Sequence, residues 1–286
     1  MKLFFIFAFI VSLVDYLNSS PNNYVLISEN DNSEIQQGQK SEITISTTGT
    51  YNITVDTRTD IEKLTDTNPI VRRISIIKLG EEKNRNNLFY LKKFINDPDP
   101  EIRKVVINAL YQCSTTDNDK NELIPLFLKH FESEKDLGVQ ISYINIFSKF
   151  KSRQIVNKLL SLLKHDYPLI RANAVRSLGI INNETTYNSI IGMLNDETEG
   201  VKIEAIRVIT NLKIKSAIKE LIKNLDSKVN IVRKETIYAL GELGSVEIIP
   251  ELEKLLNDND KSIAESSKIA IEKIKGRTKR TAVPKK

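Results

Sequence analysis

From about residue 59 onward, apolar residues recur in short blocks separated by charged and amide side chains, and the blocks repeat. The first aligned apolar residues are Val71, Ile102, Val139, Ile170, Val201, Val232 and Ile263, at steps of 31, 37, 31, 31, 31 and 31. With that residue as position 0, apolar side chains return at +5: Ile76, Ile107, Ile144, Val175, Ile206 and Ile237, with Lys268 in the last block. They return again at +8, as Leu79, Leu110, Phe147, Leu178, Ile209, Leu240 and Ile271. Position +4 is mostly small: Ser75, Val106, Tyr143, Ala174, Ala205, Thr236 and Ser267. Offsets 0, +4, +5 and +8 fall on one face of an α-helix. Between these blocks lie shorter helical patterns such as LFYLKKFIN, IVNKLLSLLK and AIKELIKNL, each too short to be stable alone. Each needs the apolar face of its neighbour. The pattern predicts an all-α chain, an α-solenoid of about seven antiparallel helix pairs over residues 59–276.

Three other columns carry information. Gly80, Gly179 and Gly241 stand at +9, where a helix C-terminus often takes a left-handed residue. Position +1 is basic in five blocks (Arg72, Arg103, Arg171, Lys202, Arg233) and lapses to Gln140 and Ala264. Position −5 is acidic in five (Asp66, Asp97, Glu134, Asp196, Asp258), with His165 and Ser227 as exceptions. A carboxylate in that turn can accept backbone N–H groups at the next helix start and can reach an arginine on the adjacent repeat. This predicts a structural ladder. The single long step places six extra residues before the third block, read as a loop over 114–122 that offers a contact point.

The run from Asp166 to Gly179, with Ile170-Arg171, Ala174 and Leu178-Gly179, resembles the HEAT-repeat pattern D-x(3–4)-V-R-x-x-A-x-x-x-L-G, with Ile170 at the valine position. The period of 31 is similar to the short subtype named after bilin-lyase subunits. The resemblance covers about three quarters of the chain and implies a superhelical stack in which the second helix of each pair lines the concave side. It implies little about activity.

Outside the repeats the chain changes character. Met1-Lys2 precedes a 12-residue apolar run, Leu3–Val14, broken by Ser12 and ended by Asp15. As a helix it would rise roughly 18 Å, short of a bilayer core of about 30 Å. Residues 1–20 are therefore read as a signal peptide, cleaved after Ser19 or Ser20, and the protein as exported to the periplasm or cell envelope. Residues 21–58 are polar and form a flexible or small β linker, with a hairpin in EITISTTGTYNITVD turning at Thr48-Gly49. The net charge is +5, yet the basic tail from Lys275 onward carries six cations and no acid, so the remainder is nearly neutral. Residues 277–286 are expected to be a disordered tail, able to make weak contact with a membrane surface.

Candidate chemistry is sparse. One cysteine, Cys113, builds no internal disulfide, and two histidines, His130 and His165, are not followed by glutamate. They do not form the His-Glu pairs of HEAT-type metal hydroxylases, so no metal and no cofactor are expected. Trp is absent and the body lacks net positive charge, so no nucleic-acid partner is expected. What remains is surface. Position +6 on the second helix should be exposed and reads Ile77, Asn108, Asn145, Arg176, Arg207, Tyr238 and Ile269. Arg176, Arg207 and Tyr238 are the expected partner-binding residues, since Arg and Tyr are favoured anchors. The competing reading is that Glu204 and Arg207 simply pair at i,i+3. The sequence thus points to a non-enzymatic, exported protein-interaction scaffold with a protein partner. The alternatives are a lyase-like or chaperone subunit acting on a modified partner, and a cytosolic scaffold.

Overall fold

The computed structural model describes residues 58–277 with their side chains, and the backbone of 26–27, 40–46, 50–56 and 278–281. The expected signal peptide lies outside the described residues. The chain divides into two compact units, Met1–Leu79 and Gly80–Lys286.

The first unit contains a three-stranded antiparallel sheet: β1 (Leu26–Ile27), β2 (Lys40–Ser46) and β3 (Thr50–Asp56), in the order β1-β2-β3. The β2–β3 register pairs Ile43 with Ile53, Ile45 with Tyr51 and Ser41 with Val55. The expected hairpin is therefore present, although its turn lies outside the described residues. A 3₁₀ turn follows at Glu62–Thr65, and then helix α1 (Pro69–Glu81). The first repeat thus has only a single 3₁₀ turn where the later repeats have a first helix.

The second unit is an all-α solenoid of six helix pairs. Its first helices are α2 (Asn87–Leu91), α4 (Asp117–Ser133), α6 (Arg153–Leu162), α8 (Tyr187–Gly192), α10 (Ile218–Lys223) and α12 (Ile249–Glu253). Its second helices are α3 (Pro100–Cys113), α5 (Leu137–Phe147), α7 (Pro168–Ile181), α9 (Glu199–Asn211), α11 (Asn230–Leu243) and α13 (Lys261–Thr281). Each first helix packs on the second helix of its pair, and each second helix packs on the next one along the chain. The apolar columns make the core: from Ile102 onward position 0 is buried in every repeat, and so is position +8. At +5, Ile107, Ile144, Val175, Ile206 and Ile237 are buried while Lys268, in the last described repeat, is exposed. A polar residue suits the end of a stack, where a neighbour no longer covers it.

Three sequence expectations change. The six extra residues do not form a loop over 114–122. They lengthen α4 to 17 residues, beginning at Asp117. The reason is local: Thr116 accepts from the Asp119 backbone N–H while the Asp119 carboxylate accepts from that of Thr116, a capping box that starts the helix early. Asp119 is held from the other side by Arg85 at 2.6 Å. The longer helix carries Phe127 and Phe131 onto Tyr143 and Phe147 of α5, with ring centroids 5.6 Å (Phe127–Tyr143) and 5.7 Å (Phe131–Phe147) apart. That is why the third repeat has aromatic residues where its neighbours have small or aliphatic ones.

The +9 glycines are not C-caps either. Each lies within its helix, and the left-handed residues are instead Lys83, Asn182 and Lys213. A Cβ at Gly80 would stand 2.9 Å from Ala109, at Gly179 2.7 Å from Val208, and at Gly241 3.0 Å from Ala270. In each case the obstacle is the +7 residue of the next second helix. The glycines let consecutive second helices approach closely. Finally, α13 continues to Thr281, and Arg277 donates to the carbonyls of Gly241 and Gly244 at 2.7 Å each, so the beginning of the basic tail is helical and tied to α11.

Candidate functional site

The ladder predicted at +1 and −5 is built, and it holds the turns in place. Arg103 of α3 makes two 2.8 Å bonds to the Glu134 carboxylate of the next repeat and donates to the carbonyls of Asp97 and Pro98 in its own turn. Arg171 of α7 does the same with Asp196 (2.7 and 2.8 Å) and with the carbonyls of His165 and Asp166. Arg233 of α11 reaches Asp258 and the carbonyl of Leu225. Each carboxylate also takes a backbone N–H at the following turn: Asp136 N on Glu134, Thr198 N on Asp196, Asp260 N on Asp258. The exceptions are matched. Where −5 is His165, its Nδ1 accepts from Tyr167 N at 3.1 Å, and the preceding +1 residue is the neutral Gln140. Where −5 is Ser227, its Oγ accepts from Val229 N at 3.2 Å, and the preceding +1 residue is Lys202, which pairs with Glu199. Loss of the carboxylate goes with loss of the arginine.

Position +6 is exposed along the second helices, as expected: Asn108, Asn145, Arg176, Arg207, Tyr238 and Ile269 all face solvent. The competing i,i+3 pairing of Glu204 with Arg207 is not what the side chains do. Arg176 holds Glu204, 28 residues on, through Nε at 2.9 Å and Nη2 at 2.8 Å. Arg207 holds Glu235, again 28 residues on, at 2.5 Å through Nη2. This is a second ladder, from +6 of one repeat to +3 of the next. The carboxylates lie beneath: Glu204 is 11% exposed and Glu235 20%, against 51% and 54% for their arginines. The exposed layer is therefore cationic although the pairs are neutral. Hydrogen bonding to these carboxylates raises the pKa of both arginines, and Arg176 slightly opposes the rise at Arg207.

Arg176 and Arg207 line one cleft of about 430 Å³, floored by Gly179, Val208 and Leu212 and flanked by Ile180 and Asn211. Gly179 lets Val208 of α9 approach α7 closely at this cleft. Tyr238 does not line it. It lies one helix further along, 59% exposed, with the Lys273 ammonium 5.7 Å from its ring centroid and Lys273 in turn paired with Glu242. The structure thus brings the two arginines into one cleft and leaves the tyrosine on the neighbouring rung. Glu235, Ile180 and Lys273 were missed by sequence reasoning, and Glu204 was paired with Arg207 where it pairs with Arg176. The 28-residue offset between an arginine at +6 and a glutamate at +3 is the signal that would have paired both glutamates correctly.

The chemistry-bearing residues elsewhere are occupied or inert. Burial pushes the Cys113 thiol up to about 11, with Glu82 adding to the shift, which keeps it protonated. Burial and Lys129 lower the pKa of His130, favouring its neutral form. Among the described residues no group of three or more His, Cys, Asp or Glu side chains is placed to hold a metal ion. No described helix is long and apolar enough to cross a membrane.

With this geometry in hand, comparison with known proteins decides the family. A family model for HEAT repeats matches residues 124–200 and 189–272, together more than half of the 286 residues. This chain belongs to the HEAT-repeat family. Among solved structures, the Escherichia coli protein YibA is similar, at 25% identity and a TM-score of 0.53, over 76% of this chain and 80% of that one. A Kap95p structure determined with RanGDP is similar in fold at a TM-score of 0.58 and 13% identity, over 75% of this chain and 34% of that one. No curated protein matches the chain. The HEAT match specifies no subtype.

Proposed function

We propose that this HEAT-repeat chain is an exported protein-interaction scaffold that grips one acidic partner segment along the exposed column Arg176, Arg207 and Tyr238. The observation that carries this reading is the arrangement of the second ladder. Glu204 and Glu235 lie under their arginines, so both guanidinium groups are fixed yet more than half exposed. Fixing a long side chain in advance lowers the entropy lost on binding. A partner carboxylate has open N–H groups to meet, and Ile180 and Leu212 offer an apolar wall beside them. Tyr238 adds an amphipathic ring on the next rung. The Leu3–Val14 run supports export, and the 31-residue period supports placement in the short, bilin-lyase-like HEAT subtype. Lys279, Arg280, Lys285 and Lys286 supply a secondary, screened contact with an acidic partner or a membrane surface.

The test begins with affinity capture from the native source and mass spectrometry, followed by titration of the captured partner. The triple variant Arg176→Ala, Arg207→Ala, Tyr238→Ala should keep its helicity and lose affinity by roughly thirtyfold or more. Unchanged affinity with intact helicity would remove the column as the partner site. Intact mass of the native protein tests export separately. A mature chain beginning after Ser19 or Ser20 is expected, and retention of Met1 in a cytosolic fraction would refute it.

A further inference from the structure

The start of the repeat array exposes an apolar residue at a position that is buried or half-buried in the later repeats. Position +3 of the second helix reads Val105, Ser142, Asn173, Glu204, Glu235 and Ser266 in the later repeats, all buried or half-buried and, Val105 apart, all polar. In the first repeat the same position is Ile74, which is 47% exposed. Ile70, at 57%, and Ile77, at 39%, stand four residues before it and three after it. The three form one stripe along α1. An apolar residue thus occupies the one described +3 position that is more than a third exposed, while five of the six buried or half-buried ones are polar. A solvated terminal face would call for the opposite choice.

The same unit holds a second apolar face, in the strand pairing of the hairpin. The β2–β3 register puts Ile43, Ile45, Tyr51, Ile53 and Val55 on one face of the paired strands, and Lys40, Glu42, Thr44, Asn52, Thr54 and Asp56 on the other. A small sheet is marginal unless its apolar face packs against something. Only residues 57–68 separate Asp56 from Pro69.

We propose that the β2–β3 hairpin covers the Ile70, Ile74 and Ile77 stripe of α1 with its isoleucine-rich face, taking the place of a preceding repeat. The short tether favours this occupant. It holds the hairpin at an effective concentration in roughly the millimolar range, above that of a second copy or of another protein in dilute solution.

Hydrogen exchange on the full chain tests this. Ile74→Ser is a mild probe, because Ser142 and Ser266 occupy the same position in later repeats. Amides of 43–45 and 51–55 should be protected in the parent protein and should exchange about tenfold faster or more in Ile74→Ser, the scale expected when one isoleucine is lost from a buried contact. Amides of α5 and α7 should not change. Ile53→Ser should act reciprocally and speed exchange in α1. Equal hairpin exchange in parent and Ile74→Ser would overturn the proposal. So would a parent that sediments as a dimer and becomes a monomer on Ile74→Ser, because a second copy would then be the cover.

Discussion

Arg171 and Arg176 lie five residues apart on α7, and both reach carboxylates of the following repeat. They should nonetheless respond very differently to removal. Arg171 and Asp196 are 7% and 6% exposed, and Arg171 also satisfies two turn carbonyls. Arg171→Ala leaves a buried carboxylate without its partner and should cost about 3–5 kcal/mol in urea unfolding. Arg176 is half exposed, so Arg176→Ala should cost about 1 kcal/mol or less. Equal losses would show that both ladders are structural and would weaken the case for a binding column. Glu134 gives the matching pH prediction. Its burial favours the neutral acid, but bonds from Arg103 and from the backbone N–H groups of Asp136 and Lys135 prevail, and its pKa is lowered. A carboxylate with a depressed folded pKa contributes stability above its unfolded value, and that contribution is lost as pH falls through the folded one. Melting temperature should therefore drop more steeply as pH falls below about 4.5 in the parent protein than in Glu134→Gln. Parallel curves would contradict this assignment.

The apolar columns at 0, +5 and +8 were legible in the sequence because a buried helix face imposes its period directly on residue type. The ladder at +1 and −5 was legible for a similar reason: one geometry recurs, so one pair of residue types recurs. The role of glycine at +9 was not. A glycine near a helix end has the same appearance whether it turns the chain or admits a neighbour, and only the position of Val208 distinguishes the two. Gly179→Ala would put a methyl 2.7 Å from Val208 Cγ1 and 2.9 Å from Cγ2, and should destabilise by about 1–3 kcal/mol. Val208→Ala should recover part of that loss, as a double-mutant cycle would read. By contrast, nothing lies within 4 Å of a Cβ at Gly192, which has φ −56 and ψ −30. Gly192→Ala should raise stability by about 0.4–1 kcal/mol. The lengthening of α4 was also hidden, because polar residues such as those at 117–122 suit a loop and a solvated helical turn equally well. The Thr116–Asp119 capping box was the available signal. The candidate cleft was half legible: period placed Arg176 and Arg207 on one exposed column, but their partners lie a repeat away, beyond the reach of an i,i+3 argument.

At the scale of the whole array, stability is close to a sum of repeat terms and nearest-neighbour terms, so the joints between repeats matter individually. The first ladder spans three joints in the second unit, through Arg103–Glu134, Arg171–Asp196 and Arg233–Asp258. It is missing at two, where Gln140 precedes His165 and Lys202 precedes Ser227. The second ladder supplies an independent link at two joints, Arg176–Glu204 and Arg207–Glu235. The Lys202 to Ser227 joint is thus held by Arg207 alone among these arginine rungs, on the same helices that carry the proposed partner column. A partner that engages Arg207 would act on this joint directly. The joint should also be the easiest to strengthen. Ser227 already accepts from Val229 N, as an aspartate there would. Lys202→Arg or Ser227→Asp alone should change stability little, because each adds one half of a rung. The double variant should gain a coupling energy of about 1 kcal/mol, within the range for contacting charged pairs. For a stack of this size that is a rise of about 2–4 °C in melting temperature. Thermal melts of the four members of the cycle measure it, and strictly additive shifts would mean that the ladder geometry of the neighbouring joints does not transfer to this one.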